Sequence, residues 1–305
     1  MQRAGTEIVD TFAEGFRMVY TRLEITAADE YWLDQALRTF CGYGTSVIAC
    51  DAEVGVERRL GADETTDGRV GAHVLLFGFS AARLGEAVPR RVGQCIMTCP
   101  TTSVFSGLAD HAAGEVELGR HLRYFGDGYQ LSKLLGGRRF WRIPVMDGEF
   151  VAEESAGVAK GVAGGNFMIQ GVTQAAALSA ARRAVTAIER LPGVITPFPG
   201  GVVRSGSKVG SKYAALKAST NHAFCPTLRG QVESELVPGA GCVYEIVIDG
   251  VDESAVSTAM RVGIEAAVGE GIPAISAGNY GGKLGKFHFH LRPLLALGAS
   301  RGAES

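Results

Sequence analysis

The sequence predicts an α+β fold that consists of two ferredoxin-like lobes, each a split βαβ arrangement, related by internal duplication. The chain has 305 residues, more than one hydrophobic core usually holds, and fits two lobes of about 150 residues each. Each half alternates β-rich segments with segments in which apolar residues recur at helical spacing. A Gly-Asn-aromatic triplet also occurs at a predicted strand turn in both halves, at residues 165–167 and 278–280.

Residues 1–150 are predicted to form the N-terminal lobe. Thr26, with Asp29 three residues later, resembles a capping box and predicts a helix that ends near Gly42. A second helix is predicted over 81–92, although it contains Pro89. Residues 107–140 do not fit the strand and helix pattern of either lobe and are interpreted as an insertion. The predicted strands, rich in β-branched and aromatic residues, cover 16–25, 45–50, 70–79 and 94–98.

Residues 151–305 are predicted to form the C-terminal lobe, with the boundary in the glycine- and acid-rich stretch 148–160. Thr173 and Asp252 are predicted helix caps, and each precedes a stripe of apolar side chains at helical spacing. Pro192 and Gly193 end the first of these helices. The predicted strands cover 166–172, 194–198, 242–248, 274–277 and 287–291.

Charge and cysteine content argue against several classes of protein. A formal net charge of -2 lacks the basic excess of a dedicated nucleic-acid binder. No apolar run reaches the ~18 residues of a membrane helix, and the N-terminus lacks a basic segment followed by an apolar one. The six cysteines form no CxxC pair and are interpreted as free thiols in a reducing compartment. We therefore expect a cytoplasmic protein that binds neither nucleic acid nor a membrane.

Glu245 is the strongest candidate catalytic residue, because it interrupts the apolar strand predicted over 242–248. Alternation along a strand places Glu245 on one face and Tyr244 and Ile246 on the other. A carboxylate among apolar side chains is costly unless it is paired or protonated, and burial raises its pKa. A neutral carboxylic acid can donate a hydrogen bond or a proton to a reacting group. The alternative is a strand glutamate paired with an arginine or a lysine.

A loop over 199–212 follows a predicted strand and combines glycine, serine and lysine. Its backbone N–H groups and the side chains of Ser205, Ser207, Lys208 and Lys212 are suited to bind an anion. The GxxxxGK[ST] spacing of a P-loop is absent, which argues against a nucleoside triphosphatase. A solvated loop without a ligand is the alternative.

Three shorter segments also contain candidate binding residues. They are a hydroxyl-rich turn over 99–103, an Asp-Gly turn over 125–130 and a basic, glycine-rich loop over 277–286. Ordinary tight turns, or a mobile loop for the last, are the alternatives. The candidate residues in them are Thr101, Asp127, Tyr129, Asn279, Tyr280 and Lys283.

No metal site is predicted. His288 and His290 share one face of a predicted strand, but no third ligand accompanies them. Structural or surface histidines are therefore the preferred interpretation.

Long segments that run in order along nearly the whole chain resemble one family, the formylmethanofuran:tetrahydromethanopterin formyltransferases. Strings of this length are far more specific than a lone glycine motif. The segments that carry the resemblance are 10–14, 44–48, 92–95, 125–130, 161–167, 197–201, 206–212, 218–221, 242–248, 260–267 and 275–285.

The resemblance implies two ferredoxin-like lobes and a homotetramer with its site in a cleft at a subunit interface. It implies no tightly bound cofactor, because a methanofuran-type (methylofuran) coenzyme and tetrahydromethanopterin are themselves the substrates. Segments 53–69 and 107–122 and the tail 292–305 depart from the family pattern. The near-neutral composition, rich in Ala and Arg, is closer to bacterial members. That implies hydrolase subunits as partners in a formyltransferase/hydrolase complex, on the route from formaldehyde to formate.

The family's catalytic glutamate falls on Glu245. The resemblance implies that lysines at 208, 212 and 283 meet the anionic tails of the coenzymes. It also implies that Phe167, Tyr129 and Tyr280 stack on their rings, and it adds Asn166 and Tyr244 to the substrate-binding residues. The expected reaction is attack of an amine on a formyl carbonyl, with glycine-rich loops supplying backbone N–H groups. The alternatives are a non-catalytic coenzyme-docking subunit and a metal-dependent formyl hydrolase.

Overall fold

The structure is a computed structural model that describes residues 1–108 and 112–299. Residues 109–111 of the predicted insertion and 300–305 of the predicted tail lie outside the described residues. The strands are β1 (Gln2–Arg3), β2 (Thr6–Ile8), β3 (Phe12–Thr26), β4 (Glu53–Leu60), β5 (Gly71–Gly78), β6 (Ser103–Ser106), β7 (Glu115–Glu117), β8 (Leu131–Leu135), β9 (Arg138–Val145), β10 (Gly148–Glu153), β11 (Ser155–Gly157), β12 (Ala159–Gly171), β13 (Val194–Ile195), β14 (Lys208–Val209), β15 (Ala218–Ser219), β16 (Cys242–Gly250), β17 (Ala274–Ser276) and β18 (Phe287–His290).

In the described ranges 1–108 and 112–299, six α-helices accompany these strands, together with a π-helical turn at Val92–Ile96 and several short 3₁₀ turns. Within the described residues, no helix combines the length and hydrophobicity that crossing a membrane requires. The α-helices are α1 (Glu30–Cys41), α2 (Ala81–Arg91), α3 (Gly119–Leu122), α4 (Gln174–Ile188), α5 (Glu253–Ala267) and α6 (Leu291–Ala299).

The chain divides into two compact units. One contains Met1–Arg17 together with the described residues from Val162 onward, and the other contains Met18–Gly161. Residues 1–17 belong with the C-terminal part because β2 pairs with β17 and the start of β3 pairs with β18. The boundary at residue 150 that the sequence suggests stays a prediction.

The unit formed by 18–161 contains a split βαβ sheet. Its strand order is β6-β3-β5-β4 with all neighbours antiparallel, and α1 and α2 are the crossover helices. The apolar faces of both helices pack with these strands in one hydrophobic core. The predicted insertion contributes β8 and β9, which with β10 extend this sheet beyond β6.

The unit that contains Glu245 has the same topology. Its strand order is β17-β12-β16-β13, again antiparallel, and α4 and α5 are the crossovers. Apolar side chains of α4 and α5 and of the central strands form a second core. The shared strand order confirms the predicted α+β fold of two split βαβ lobes.

The helix caps follow the sequence with one correction. Thr173 and Asp252 cap α4 and α5 as predicted, by accepting hydrogen bonds from the N–H groups of Ala176 and Ala255. The cap of α1 is Asp29, which accepts from Trp32, and not Thr26. Thr26 instead ends β3, where its hydroxyl donates to Asp67. Aspartate is a stronger helix N-cap than threonine. Residues 27 and 28 connect the end of β3 to this cap.

Two predicted strands of the first half are wrong. Residues 46–50 form turns, in which Cys50 N–H donates to the Ser46 carbonyl, and the strand begins at Glu53. Residues 94–98 continue α2 into the π-helical turn, where Met97 N–H donates to the Val92 carbonyl. A short apolar run does not distinguish a strand from a buried helix by its periodicity, and this explains the error at 94–98.

Gly165 allows α5 to pack directly on β12. A Cβ at Gly165 would lie 2.3 Å from Cγ1 of Val256 in α5, whereas a Cβ at Gly85, exposed on α2, meets nothing within 4 Å. We expect Gly165→Ala to destabilise the protein by about 1–3 kcal/mol through overpacking. The matched control Gly85→Ala should stabilise it by about 0.5–1 kcal/mol, because it improves a helix interior. Thermal unfolding of the two variants should therefore shift in opposite directions, and equal shifts would contradict this packing.

Candidate functional site

The pairing of β12 with β16 separates two faces of side chains. The strands are antiparallel, and Met168 lies opposite Glu245 in their register. Because side chains alternate along each strand, one face carries Phe167, Ile246 and their alternate neighbours into the core with α4 and α5. The other face carries Met168 and Glu245. Glu245 therefore lies on the side of the sheet that faces away from these helices.

The edge of β16 beside Glu245 is covered by the loop that begins with the 3₁₀ turn Pro199–Gly201. The N–H of Glu245 donates to the Val203 carbonyl at 3.0 Å, and Val203 N–H donates back at 2.8 Å. Gly201 has a φ of 73°, and a Cβ there would lie 2.7 Å from the Val185 side chain. The turn thus requires glycine, and the loop enters the site from a fixed point on the strand.

The carboxyl group of Glu245 has no hydrogen-bond or ion-pair partner among residues 1–108 and 112–299. Its side chain keeps part of its surface open, yet burial raises its pKa from 4.5 to about 7. The alternative interpretation, a strand glutamate paired with arginine or lysine, is therefore wrong for the described part of the chain. A carboxyl group with this pKa is partly neutral near pH 7 and can donate a hydrogen bond or a proton.

Glu245 lines a cavity of about 250 Å³ within its own unit. Residues from β12, β16, the 199–212 loop, the 221–235 segment and the 277–280 loop meet there. The lining residues that the sequence singled out are Asn166, Ser207, Lys208, Glu245, Asn279 and Tyr280. The remaining lining residues are Met168, Asn221, His222, Ala223, Phe224, Glu235, Ala277 and Gly278.

Lys208 brings a positive charge to this cavity. Its Nζ lies 3.1 Å from Nδ1 of His222, so that the ammonium donates and the imidazole accepts. The backbone of Lys208 pairs with Ser219 in the short β14–β15 ladder, which fixes the loop. Next to it, Oγ of Ser207 is buried and has no hydrogen-bond partner in the described residues. An ammonium group and an unengaged hydroxyl side by side are suited to a carboxylate or a phosphate.

Asn166 lines the cavity, but its side-chain amide forms hydrogen bonds with the backbone of the protein. Nδ2 donates to the carbonyls of Gly164 and Gly278 at 3.2 and 3.1 Å, and Oδ1 accepts from Gly278 N–H at 2.7 Å. Asn166 therefore holds the start of the loop that follows β17.

Glu14, in the strand β3, holds the rest of this loop. Its side chain is 1% exposed and accepts four backbone N–H groups, those of Tyr280, Gly282, Leu284 and Gly285. Burial alone would raise the pKa of Glu14, but the four donors outweigh burial and leave the pKa below its ordinary value. Glu14 is thus an ionised carboxylate enclosed by the loop.

Tyr280 sits on this loop and lines the cavity with Glu245. Burial, followed by the negative charges of Glu245 and Glu14, raises the pKa of the Tyr280 hydroxyl. The hydroxyl therefore stays protonated at neutral pH and is available as a hydrogen-bond donor. Its ring packs on Phe16, with the ring centroids 6.2 Å apart.

Two family models together match nearly the whole chain. The model described as formylmethanofuran-tetrahydromethanopterin formyltransferase matches residues 1–145. The model described as the proximal lobe of the same family matches residues 148–294.

The chain belongs to the formylmethanofuran–tetrahydromethanopterin formyltransferase family.

Relatives in this family are similar over their full lengths. A formylmethanofuran–tetrahydromethanopterin formyltransferase of Methylococcus capsulatus is 53% identical, over 96% of this chain and 99% of its own. The solved formyltransferase of Methanosarcina barkeri is 46% identical, covers 96% of this chain and 100% of its own, and superposes with a TM-score of 0.91. A chain of the formyltransferase/hydrolase complex from Methylorubrum extorquens, solved with methylofuran, is 46% identical, covers 97% and 98%, and has a TM-score of 0.93. The family resemblance found in the sequence is confirmed.

Two predicted substrate-binding residues of this formyltransferase family member lie on the wrong face. Phe167 is completely buried in the core, where its ring would contact a Cβ placed on Gly263 of α5. Tyr244 is 8% exposed, and its hydroxyl accepts a hydrogen bond from Gln174 at the start of α4. Phe167 is next to Met168 in β12, and Tyr244 is next to Glu245 in β16. Because side chains alternate along a strand, both point toward α4 and α5. The burial of Phe167 contradicts the prediction that it stacks on a coenzyme ring.

Other predicted binding residues are not among the cavity lining. Ser205, Lys212 and Lys283 are exposed on loops of the unit that contains Glu245. The remaining three belong to the unit formed by 18–161, and two of them have the left-handed backbone of tight turns. They are Thr101 with φ 68°, Asp127 with φ 49°, and Tyr129, which is 79% exposed.

Sequence reasoning missed Glu14, His222 and Glu235. Glu14 follows Phe12 and Ala13 in an apolar strand, the same signal that singled out Glu245. His222 and Glu235 lie in irregular segments with no periodic pattern, so nothing in the sequence marks them. No group of three or more His, Cys, Asp or Glu side chains in the described part of the chain is placed to hold a metal ion.

The pKa of Glu245 predicts a pH-dependent stability. Because the folded-state pKa lies above the ordinary value, the native protein binds this proton more tightly than the unfolded chain, and stability falls as pH rises toward and through 7. Relative to wild type, Glu245→Gln should gain on the order of 2–3 kcal/mol in the free energy of unfolding between about pH 5 and pH 8.5. Urea unfolding at the two pH values measures this gain. A difference between the proteins that does not change with pH would contradict the raised pKa.

Proposed function

We propose that this chain catalyses formyl transfer between tetrahydromethanopterin and a methanofuran-type (methylofuran) amine. The observation that carries the proposal is the unpaired carboxyl group of Glu245, with its pKa near 7, in a cavity that also contains Tyr280 and Lys208. Family membership and the names of the relatives give the substrates. Both coenzymes are substrates, and the proposal includes no tightly bound cofactor.

The cavity is suited to the reacting ends of the coenzymes rather than to whole molecules. Its volume of about 250 Å³ is small for two large ligands. Holding an amine and a formyl carbon at near-attack distance there can supply much of the rate enhancement. Lys208 and Ser207 would hold an anionic group of one coenzyme, while exposed Lys212 and Lys283 would meet the anionic tails outside the cavity.

The reaction itself forms one C–N bond and breaks another. The amine nitrogen attacks the formyl carbon, and the carbonyl oxygen becomes an oxyanion in the tetrahedral intermediate. Neutral Glu245 stabilises that oxyanion by donating a hydrogen bond, or passes its proton to the departing nitrogen, and the Tyr280 hydroxyl is a second donor. The proton that the attacking nitrogen loses balances the proton that the leaving nitrogen gains.

The backbone of the 278–285 loop is not part of this donor set. Asn166 and Glu14 already accept five of its N–H groups, those of Gly278, Tyr280, Gly282, Leu284 and Gly285. These five N–H groups are therefore not free to bind the reacting group, and the expectation that glycine-rich loops supply backbone N–H groups stays a prediction for the other loops. In this proposal the side chains of Glu245 and Tyr280 donate to the reacting group, while Lys208 and Ser207 hold an anionic group of the coenzyme.

Glu245→Gln tests the catalytic role. Glutamine keeps the shape but cannot supply an acidic proton, so kcat should fall about 10²–10⁴-fold while coenzyme affinity changes little. The assay uses purified chain, formyl-tetrahydromethanopterin and the furan amine, with and without a chelator. Glu233→Gln changes an exposed glutamate of the same unit that is not among the lining residues; it is the matched control and should retain most activity.

The outcomes of this assay separate the alternatives. An equal loss of kcat and of affinity in Glu245→Gln would remove the catalytic role. An intact chain that binds the coenzymes without any transfer would be a docking subunit of a hydrolase complex. Loss of transfer with the chelator would revive a metal-dependent reaction.

We further propose that the chain works in the cytoplasm as a homotetramer and joins hydrolase subunits, on the route from formaldehyde to formate. Similarity to a chain of the formyltransferase/hydrolase complex supports the hydrolase partners. Strand β8 supports self-association: among the described residues it pairs only with β9, and Leu131 and Leu134 are each 60% exposed. An exposed apolar edge strand of this kind is normally covered by another chain.

Leu134→Asp tests the contribution of β8 to self-association. A charge on this apolar edge should lower the oligomer mass, because burying it in an interface is costly. Light scattering coupled to size-exclusion chromatography measures the mass of the variant. Leu216→Asp, a leucine that is 54% exposed on a loop of the other unit, is the matched control and should leave the mass unchanged. An unchanged mass in Leu134→Asp would exclude β8 from the interface.

A further inference from the structure

We infer that Glu14 is a positioning residue for formyl transfer, which acts by fixing the loop that carries Tyr280 beside Glu245. The inference rests on the function proposed above, and it assigns a role to a residue that was not among the candidates from the sequence.

The carboxylate of Glu14 occupies the inside of the loop. Oε1 accepts from Tyr280 and Gly282, and Oε2 accepts from Leu284 and Gly285. No cationic side chain of the described residues forms an ion pair with it. Four backbone N–H groups of one loop thus converge on a single anion, as they do in anion-binding loops, and here the anion is part of the protein itself.

The glycines of the loop make this geometry possible. Gly281 and Gly282 have φ values of 70° and 73°, a left-handed conformation that other residues rarely adopt. At Gly285 a Cβ would lie 2.7 Å from Cβ of Glu14 and 2.8 Å from the Gly15 carbonyl. The loop can therefore approach β3 closely only because these positions are glycine.

Tyr280 lies between two fixed points. Asn166 holds Gly278 on one side, and Glu14 holds the segment from Gly282 to Gly285 on the other. Glu14 also binds the N–H of Tyr280 itself at 2.7 Å. The position of the Tyr280 side chain in the cavity thus depends on a carboxylate that does not line the cavity.

Loss of either the charge or the reach of Glu14 should displace Tyr280. In Glu14→Gln, an NH2 group replaces one acceptor oxygen and faces two N–H donors. Glu14→Asp keeps the charge, but it is one methylene shorter and cannot reach all four donors. A displacement of about 1 Å at a reacting group costs roughly 10- to 100-fold in kcat.

The experiment measures kcat and KM of formyl transfer for the full chain and for Glu14→Gln, Tyr280→Phe and the double variant. We expect kcat to fall roughly 10- to 100-fold in Glu14→Gln, with a smaller change in KM. In the Tyr280→Phe variant, Glu14→Gln should lower kcat much less than it does in wild type, because the hydroxyl that Glu14 positions is already absent. Amide hydrogen exchange of residues 280–285 should accelerate in Glu14→Gln.

Glu24→Gln is the matched control. Glu24 is a buried glutamate of the same strand, 6% exposed, that accepts a backbone N–H from Thr66 in the unit formed by 18–161. Glu24→Gln should fold and should leave kcat unchanged.

Each contrary outcome overturns the inference. The first is an unchanged kcat in Glu14→Gln, and the second is that the losses in kcat of the two single variants add up in the double variant. The third is that Glu14→Gln and Glu14→Asp both fail to fold while Glu24→Gln folds. If wild type itself transfers no formyl group, the proposed function fails. In that case, hydrogen exchange of 280–285 and affinity for the furan coenzyme in Glu14→Gln decide whether Glu14 positions the loop.

Discussion

The antiparallel pairing of β12 with β16 decides which side chains of this protein reach the cavity. One face of the pair must pack against α4 and α5, because its side chains form most of the core of that unit. With that face committed, Met168 and Glu245 are left on the other side. A slip of one residue in the register would turn Glu245 into the core and Ile246 outward, so the apolar core fixes the location of the acid.

Two glutamates in similar apolar strands have opposite pKa shifts, because burial raises the pKa of Glu245 whereas four backbone donors outweigh burial at Glu14. Glu14 accepts four N–H groups and is held ionised, whereas Glu245 has no side-chain partner in the described residues and is shifted toward the neutral form. One carboxylate therefore serves as a fixed charge that organises the backbone, and the other keeps an exchangeable proton. The site thus combines a rigid loop with a titratable group.

Local pattern was enough for much of this fold. Apolar stripes located α4 and α5 with their caps, and the cost of a carboxylate in an apolar strand located Glu245. The same alternation rule placed Tyr244 on the opposite face from Glu245, and the structure agrees with the rule rather than with the binding role given to Tyr244. The strand predicted at 94–98 was wrong because short apolar runs carry no reliable period.

Glu14 could be recognised as unusual from its strand, but its role could not be predicted, because the role depends on backbone groups hundreds of residues later. His222 and Glu235 lie in irregular chain whose path only the folded structure reveals. Local sequence pattern does not show which distant loops meet in the folded protein, and it is the meeting of these loops that forms the cavity.

The order in which the chain is made has a consequence for how the site matures. Glu14 and its partner Gly285 are 271 residues apart, and the entire unit formed by 18–161 is synthesised between them. During translation that unit can fold while the start of β3, which carries Glu14, is not yet paired with its neighbour β18. The buried carboxylate is thus synthesised long before the backbone groups that donate hydrogen bonds to it. A nascent chain that stalls late would carry one folded unit and no formed active centre.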